Sequence, residues 1–183
     1  MTRHPRLERS SPPPAPGIVH FGPGAFFRSF LAPYTDEAMS KGSGNWGIIA
    51  VSLKSPTTRD LLAPQGCLYT AVERGRKGDI RRRIGAITGT LVASEDPGAV
   101  IDVMVGSEIR IVTLTITEKG YCQNPRDGSL QVTHPDIAHD TTTIDRPRSA
   151  IGYLVLALAR RRDANLPPFT VLSCDNLPSN GIA

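Results

Sequence analysis

The sequence predicts an α/β domain, a doubly wound and mostly parallel sheet with an inserted β-hairpin. Three observations carry this. Short runs around residues 17–21, 46–53, 109–116 and 169–174 are almost wholly apolar, and strands that are apolar throughout are buried on both faces. Segments with helical spacing lie between most of them, the alternation of a parallel sheet covered by helices. A length of 183 residues suits about one domain, large enough to fold without disulfides or metal.

Residues 1–16 include Ser10-Ser11-Pro12-Pro13-Pro14 and lack apolar periodicity, so a disordered Pro-rich tail is expected there, with the domain at 17–183. Gly17-Ile18-Val19-His20-Phe21 reads as the first strand, entering a glycine turn at Gly22. Residues 25–39 place Phe26, Phe30, Leu31, Tyr34 and Met39 near helical spacing, with a kink or split expected at Pro33. Gly47-Ile48-Ile49-Ala50-Val51 is the second strand. Ser55-Pro56 is a cap and first helical position for a short helix through Leu62. Residues 68–73 and 81–92 read as a hairpin turning near Gly78. Ser94 is expected to cap a helix to Val105, and residues 109–116 form another buried strand. Residues 136–147 are polar and read as irregular. The longest helix is expected over 148–163, followed by Pro167-Pro168 and a last strand at 169–174.

Composition excludes several classes. The longest apolar run, residues 150–159, falls short of the about 20 residues a membrane span needs. Met1-Thr2-Arg3-His4-Pro5 has no apolar stretch behind its charges, so no secretory leader is expected and the chain is assigned to the cytoplasm. Cys67, Cys122 and Cys174 contain no C-x-x-C pair and read as reduced thiols. The net charge of +4 is spread over the tail, a cluster from Arg74 to Arg83, and Arg160 to Arg162. With 5% aromatic residues, nucleic-acid binding is not supported, and the triple Arg complements a helix C-terminus. His134 and His139 are five apart around Pro135, which reads as a polar loop rather than a metal site.

Chemistry is concentrated at strand ends, where open α/β sheets bind ligands. In Phe21-Gly22-Pro23-Gly24-Ala25-Phe26-Phe27, a G-x-G turn leads from strand to helix. Gly22 and Gly24 let a backbone approach a pyrophosphate, but a third glycine is replaced by Phe27 and Pro23 removes an amide donor. An ordinary tight turn fits the two glycines as well. No Asp or Glu stands between Glu37 and Asp60, where a ribose-binding acid is usual. Lys54 and Arg59 there leave NADP open beside NAD. Polar clusters close two further strands, Thr115-Ile116-Thr117-Glu118-Lys119-Gly120-Tyr121 and Ser173-Cys174-Asp175-Asn176-Leu177-Pro178-Ser179-Asn180-Gly181, although turn chemistry also uses such residues.

These segments, with Tyr34-Thr35-Asp36-Glu37, Trp46-Gly47-Ile48 and Leu68-Tyr69-Thr70, resemble the amino-terminal Rossmann-like domain of the mannitol dehydrogenase family, the polyol-specific long-chain dehydrogenases. The likeness runs in order through nearly everything after the tail. It implies NAD(P)-dependent interconversion of a polyol and a ketose, or of an aldonate and a keto-uronate, without metal. It places Gly22 and Gly24 at the pyrophosphate with Phe26 and Arg28 beside them. Thr115, Glu118 and Lys119 fall near the nicotinamide, and Asp175 and Asn176 at the cofactor–substrate junction. Many members carry a His-rich segment where this chain reads Phe27-Arg28-Ser29-Phe30. Members are also more than twice as long, and their second, helical domain brings a general-base Lys with Asn and His. That catalytic domain is expected to be absent here, so the resemblance implies a cofactor-binding half that is inactive alone. A non-catalytic nucleotide-binding module or truncated gene product is the alternative, and a basic RNA-binding module a distant third.

Overall fold

The computed structural model describes residues 6–124, 126–177 and 180. The chain runs β1 (Pro16–Phe21), α1 (Ala25–Ser29), α2 (Leu31–Ser40), β2 (Gly47–Ser52), α3 (Thr57–Leu62), β3 (Tyr69–Gly75), β4 (Gly78–Ile84) and β5 (Ile87–Val92). It continues through α4 (Pro97–Val105), β6 (Ile111–Leu114), α5 (Thr117–Gly120), α6 (Pro135–Thr142), α7 (Ala150–Asp163) and β7 (Thr170–Ser173).

Five strands form one sheet in the order β5-β2-β1-β6-β7, and every neighbouring pair is parallel. The first half of the chain fills one side of β1 and the second half fills the other. The strand order therefore reverses between β1 and β6, whose register pairs His20 with Thr113 and Phe21 with Leu114. The crevice outside such a reversal is where doubly wound sheets bind ligands.

Alternate residues of the same strands serve two cores. Val19, Phe21 and Val51 pack beneath α4 and α7 through Val100, Met104, Tyr153 and Leu156. Ile18, Ile48 and Ala50 face the other layer, with Phe27, Ala32 and Leu62 from α1, α2 and α3. Full burial on both faces explains why these strands read as continuous apolar runs.

Several expectations need correction. The run 81–92 is two strands, not one: β4 pairs antiparallel with β3, then Gly85 and Ala86 redirect the chain so that β5 joins β2 in parallel. The helix expected over 25–39 splits at Phe30 rather than at Pro33, which sits inside the first turn of α2, where a missing N–H is harmless. Asp96 caps α4 by accepting from the Ala99 amide, in place of Ser94. Pro56 occupies the cap position of α3 rather than its first turn. The segment expected to be irregular contains α6, which starts with His134 as cap and Pro135 as first residue.

Two arginines hold separate parts of the chain together. Arg9, in the stretch expected as a disordered tail, donates to the carbonyls of Gly66, Gly85 and Ile87 at 2.6–2.9 Å. Arg161 is 1% exposed and donates to the carbonyls of Met104, Gly106 and Pro167. It thereby ties the end of α7 to the end of α4. Arg160 and Arg162 remain on the surface beside Asp145 and Asp163.

Candidate functional site

The site begins at the carboxyl ends of β1 and β6. Gly22 holds φ at +89°, and a Cβ there would run into the Thr115 backbone, with the carbonyl carbon 2.7 Å away. Only glycine lets β1 leave the sheet this close to β6. Gly24 is different. It caps α1 with extended backbone, no side chain caps that helix, and a Cβ would meet only the Gly22 carbonyl at 3.8 Å. Gly22 is thus required by packing, while Gly24 leaves open space above the turn.

Hydrogen bonds fix the turn from beneath. The Thr115 hydroxyl donates to the Gly22 carbonyl at 2.7 Å. The Arg28 guanidinium turns back and donates to the Pro23 carbonyl at 2.5 Å, so it braces the loop rather than reaching outward. Phe26 stands on the surface, 54% exposed, next to Phe30 with ring centroids 5.0 Å apart.

A second clamp joins β6 to β7. The Asp175 carboxylate accepts from the amides of Ile116 at 2.8 Å and Thr117 at 3.1 Å, and from the Tyr121 hydroxyl at 2.9 Å. Burial, opposed by a hydrogen bond with Ser173 and reinforced by the Asp175 charge, pushes the Tyr121 phenol up to about 12, so it stays a donor. The clamp allows Thr117 its φ of +65°, strained for a β-branched residue. It presents Glu118 and Lys119 on α5 to solvent, with Asn176 exposed nearby.

The structure therefore joins Gly22 to Thr115, holds the next two residues of that loop with Asp175, and leaves Gly24, Phe26, Glu118, Lys119 and Asn176 exposed around them. Pro178, Ser179 and Gly181 of the last polar cluster lie outside the described residues. Lys54 lies further along the sheet, in a cleft of about 660 Å³ at the ends of β2 and β5, paired with Asp136 at 3.1 Å. Arg59 is held by Asp60 and Glu95 outside that cleft. Sequence reasoning missed Asp136, a carboxylate that α6 carries to the β2 end where none was found nearby in sequence. It also missed His20, buried under the turn, whose signal was a single imidazole in an otherwise apolar strand. Among the described residues no cluster of His, Cys, Asp and Glu is arranged to hold a metal, and no helix is long and apolar enough to cross a membrane.

A parallel sheet reversing at a G-x-G turn defines a dinucleotide-binding domain of the Rossmann class. Comparison with known proteins specifies it further. A family model described as the mannitol dehydrogenase Rossmann domain matches residues 16–183. The chain belongs to the mannitol dehydrogenase family. It is 46% identical over 166 residues to the uncharacterized oxidoreductase YeiQ of Escherichia coli (strain K12), covering 90% of this chain and 34% of that protein. It is 45% identical over 170 residues to mannitol 2-dehydrogenase of Aspergillus clavatus, again covering 90% and 34%. The solved ternary complex of Pseudomonas fluorescens mannitol 2-dehydrogenase with NAD and D-mannitol superposes with a TM-score of 0.87 at 43% identity, over 91% of this chain and 35% of that one. The chain spans about a third of the length of the relatives it matches.

Proposed function

We propose that this chain is the NAD-binding half of a dehydrogenase that interconverts a polyol and a ketose, or an aldonate and a keto-uronate. The observation that carries the reading is the open, uncapped Gly24 turn at the strand-order reversal, in a chain similar to one solved with NAD and D-mannitol. The residues fit a dinucleotide. Gly22 and Gly24, with Phe26 beside them, would take the pyrophosphate. Thr115, Glu118 and Lys119 would border the nicotinamide, with Asp175 and Asn176 at its junction with substrate. Arg28 would act by holding the turn, and the Lys54–Asp136 cleft would receive the adenosine end. The bound nicotinamide supplies hydride acceptance from the carbinol carbon.

The residues described here contribute binding and orientation. Gly24 admits the backbone, Thr115 fixes the height of the turn, and Asp175 fixes the loop after β6. No general base is assigned among them, because Lys119 stands on an exposed rim rather than in an enclosed site. The 183-residue chain by itself is expected to bind NADH and to turn over no polyol. Fluorescence titration with NADH, followed by absorbance assays with mannitol, sorbitol, arabinitol and mannonate, tests both statements. Absence of NADH binding refutes the cofactor assignment. Turnover above about 0.1 per second, against about 10 for a typical enzyme, refutes the assignment of proton transfer elsewhere.

A further inference from the structure

His20 is fully buried in the centre of the sheet, yet it is not a packing residue alone. Its Nδ1 lies 2.7 Å from the Thr113 hydroxyl, and its Nε2 lies 3.0 Å from the Thr115 hydroxyl and 3.2 Å from the Gly22 carbonyl. Its ring stacks on Phe27 of α1, with centroids 3.7 Å apart and planes within 10°. One imidazole therefore touches the end of β6, the glycine turn and the helix that follows it.

The directions of these bonds follow from counting protons. Thr115 has a single hydroxyl proton, and it is directed to the Gly22 carbonyl. Toward His20 its oxygen can then only accept, so Nε2 carries the hydrogen. Burial pulls the imidazole down to about 3, against a weaker opposing bond to Gly22, so the ring is neutral and Nδ1 holds a lone pair. Thr113 donates to that lone pair. The chain Thr113 → His20 → Thr115 → Gly22 thus has one proton direction, and each member selects the next.

We propose that His20 is a positioning residue of the nucleotide site, setting the spacing between the glycine turn and the end of β6 through Thr115 and Phe27. The inference rests on the nucleotide-binding reading above. Removing the Thr113 hydroxyl leaves the Nδ1 lone pair without a donor and the ring without its anchor on β6. The Nε2–H that faces Thr115 and the Gly22 carbonyl then loses the fixed ring that aims it. The effect reaches the turn without substituting any residue assigned to the nucleotide itself.

The test uses Thr113→Val, Thr113→Ser and His20→Phe in the 183-residue chain, at a temperature where circular dichroism shows each variant folded. The ¹⁵N spectrum of the imidazole is expected to show a protonated Nε2 in both wild type and Thr113→Val, with the Nδ1 resonance moving toward that of an unbonded lone pair in the variant. The NADH dissociation constant is expected to rise about fivefold in Thr113→Val, the size of one neutral hydrogen bond, and to recover in Thr113→Ser. His20→Phe keeps the stacking and is expected to weaken NADH at least as much. Adenosine, which lacks the phosphates that would meet the turn, is expected to bind all variants equally. Equal losses for adenosine and NADH indicate a general structural defect and overturn the proposal, as does an Nδ1-protonated wild-type ring. Wild-type binding of NADH with no change in the variants overturns the role of His20 alone. Failure of the wild type to bind NADH overturns the nucleotide reading and this role with it.

Discussion

The two glycines of the turn separate folding from binding. In Gly22→Ala the new methyl meets the Thr115 carbonyl of the neighbouring strand, in a backbone conformation at φ +89° that costs an L-residue about 1–2 kcal/mol. Relief requires β1 and β6 to part where Thr115 donates its amide to Phe21, so a total of about 3 kcal/mol is expected. For a chain of this size each kcal/mol shifts Tm by about 2–4 °C, giving a fall of about 6–12 °C. The Cβ of Gly24→Val meets nothing closer than 3.8 Å, and φ −72° with ψ −172° suits a branched residue, so Tm should move by less than about 3 °C. Its side chain occupies the space proposed for the pyrophosphate, and NADH affinity should fall at least about tenfold, equivalent to 1.4 kcal/mol. Differential scanning calorimetry and NADH fluorescence titration read the two quantities. Undiminished NADH affinity in Gly24→Val, or an unchanged Tm in Gly22→Ala, refutes this division of labour.

Acid should destabilise the domain through His20. Its pKa is about 3 when folded against 6.5 as the reference, so the unfolded chain takes the proton first; stability is complete above 6.5 and falls by about 2 kcal/mol at pH 5, a slope that urea titrations should find reduced in His20→Phe. Arg161→Met leaves three carbonyls without their donor and is expected to cost about 3–5 kcal/mol by chemical denaturation, while NADH affinity per folded molecule stays the same. Asp136→Ala frees Lys54 in the cleft and should shift preference toward NADP, whereas Lys54→Ala should weaken NADP and leave NAD nearly untouched; equal effects on both nucleotides in titrations would make the pair a surface contact only.

What the sequence revealed and concealed follows from where each signal is stored. β1, β2 and β6 were legible because burial on both faces leaves few polar positions to confuse the pattern. The division of 81–92 was not, because Ile84 and Ile87 are both buried and the bend at Gly85-Ala86 lacks the usual turn pair. α6 was hidden by its polar surface, since only Ile137 is buried and the helix is announced by nothing more than His134-Pro135. In the candidate site, Gly22 and Thr115 stood out by type and position. Their separate tasks did not, since the distance from Gly22 to the Thr115 carbonyl belongs to the sheet and not to either segment. Asp136 lies 82 residues from Lys54, beyond any local reading.

The Asp175 clamp also has a consequence for the order in which the molecule is made. The Ile116 amide waits for a carboxylate 59 residues downstream. At about 5–20 residues per second, a ribosome needs about 3–12 s to deliver it. During that interval β1, β2 and β5 have all been synthesised, but the loop after β6 lacks its anchor and Thr117 has nothing to hold its left-handed backbone. A dinucleotide that recognises only the finished crevice cannot stabilise the nascent chain in this period. Its help in folding begins once Asp175 has left the exit tunnel, so the same nucleotide that rescues a weakened variant in a test tube should do little for that variant during translation.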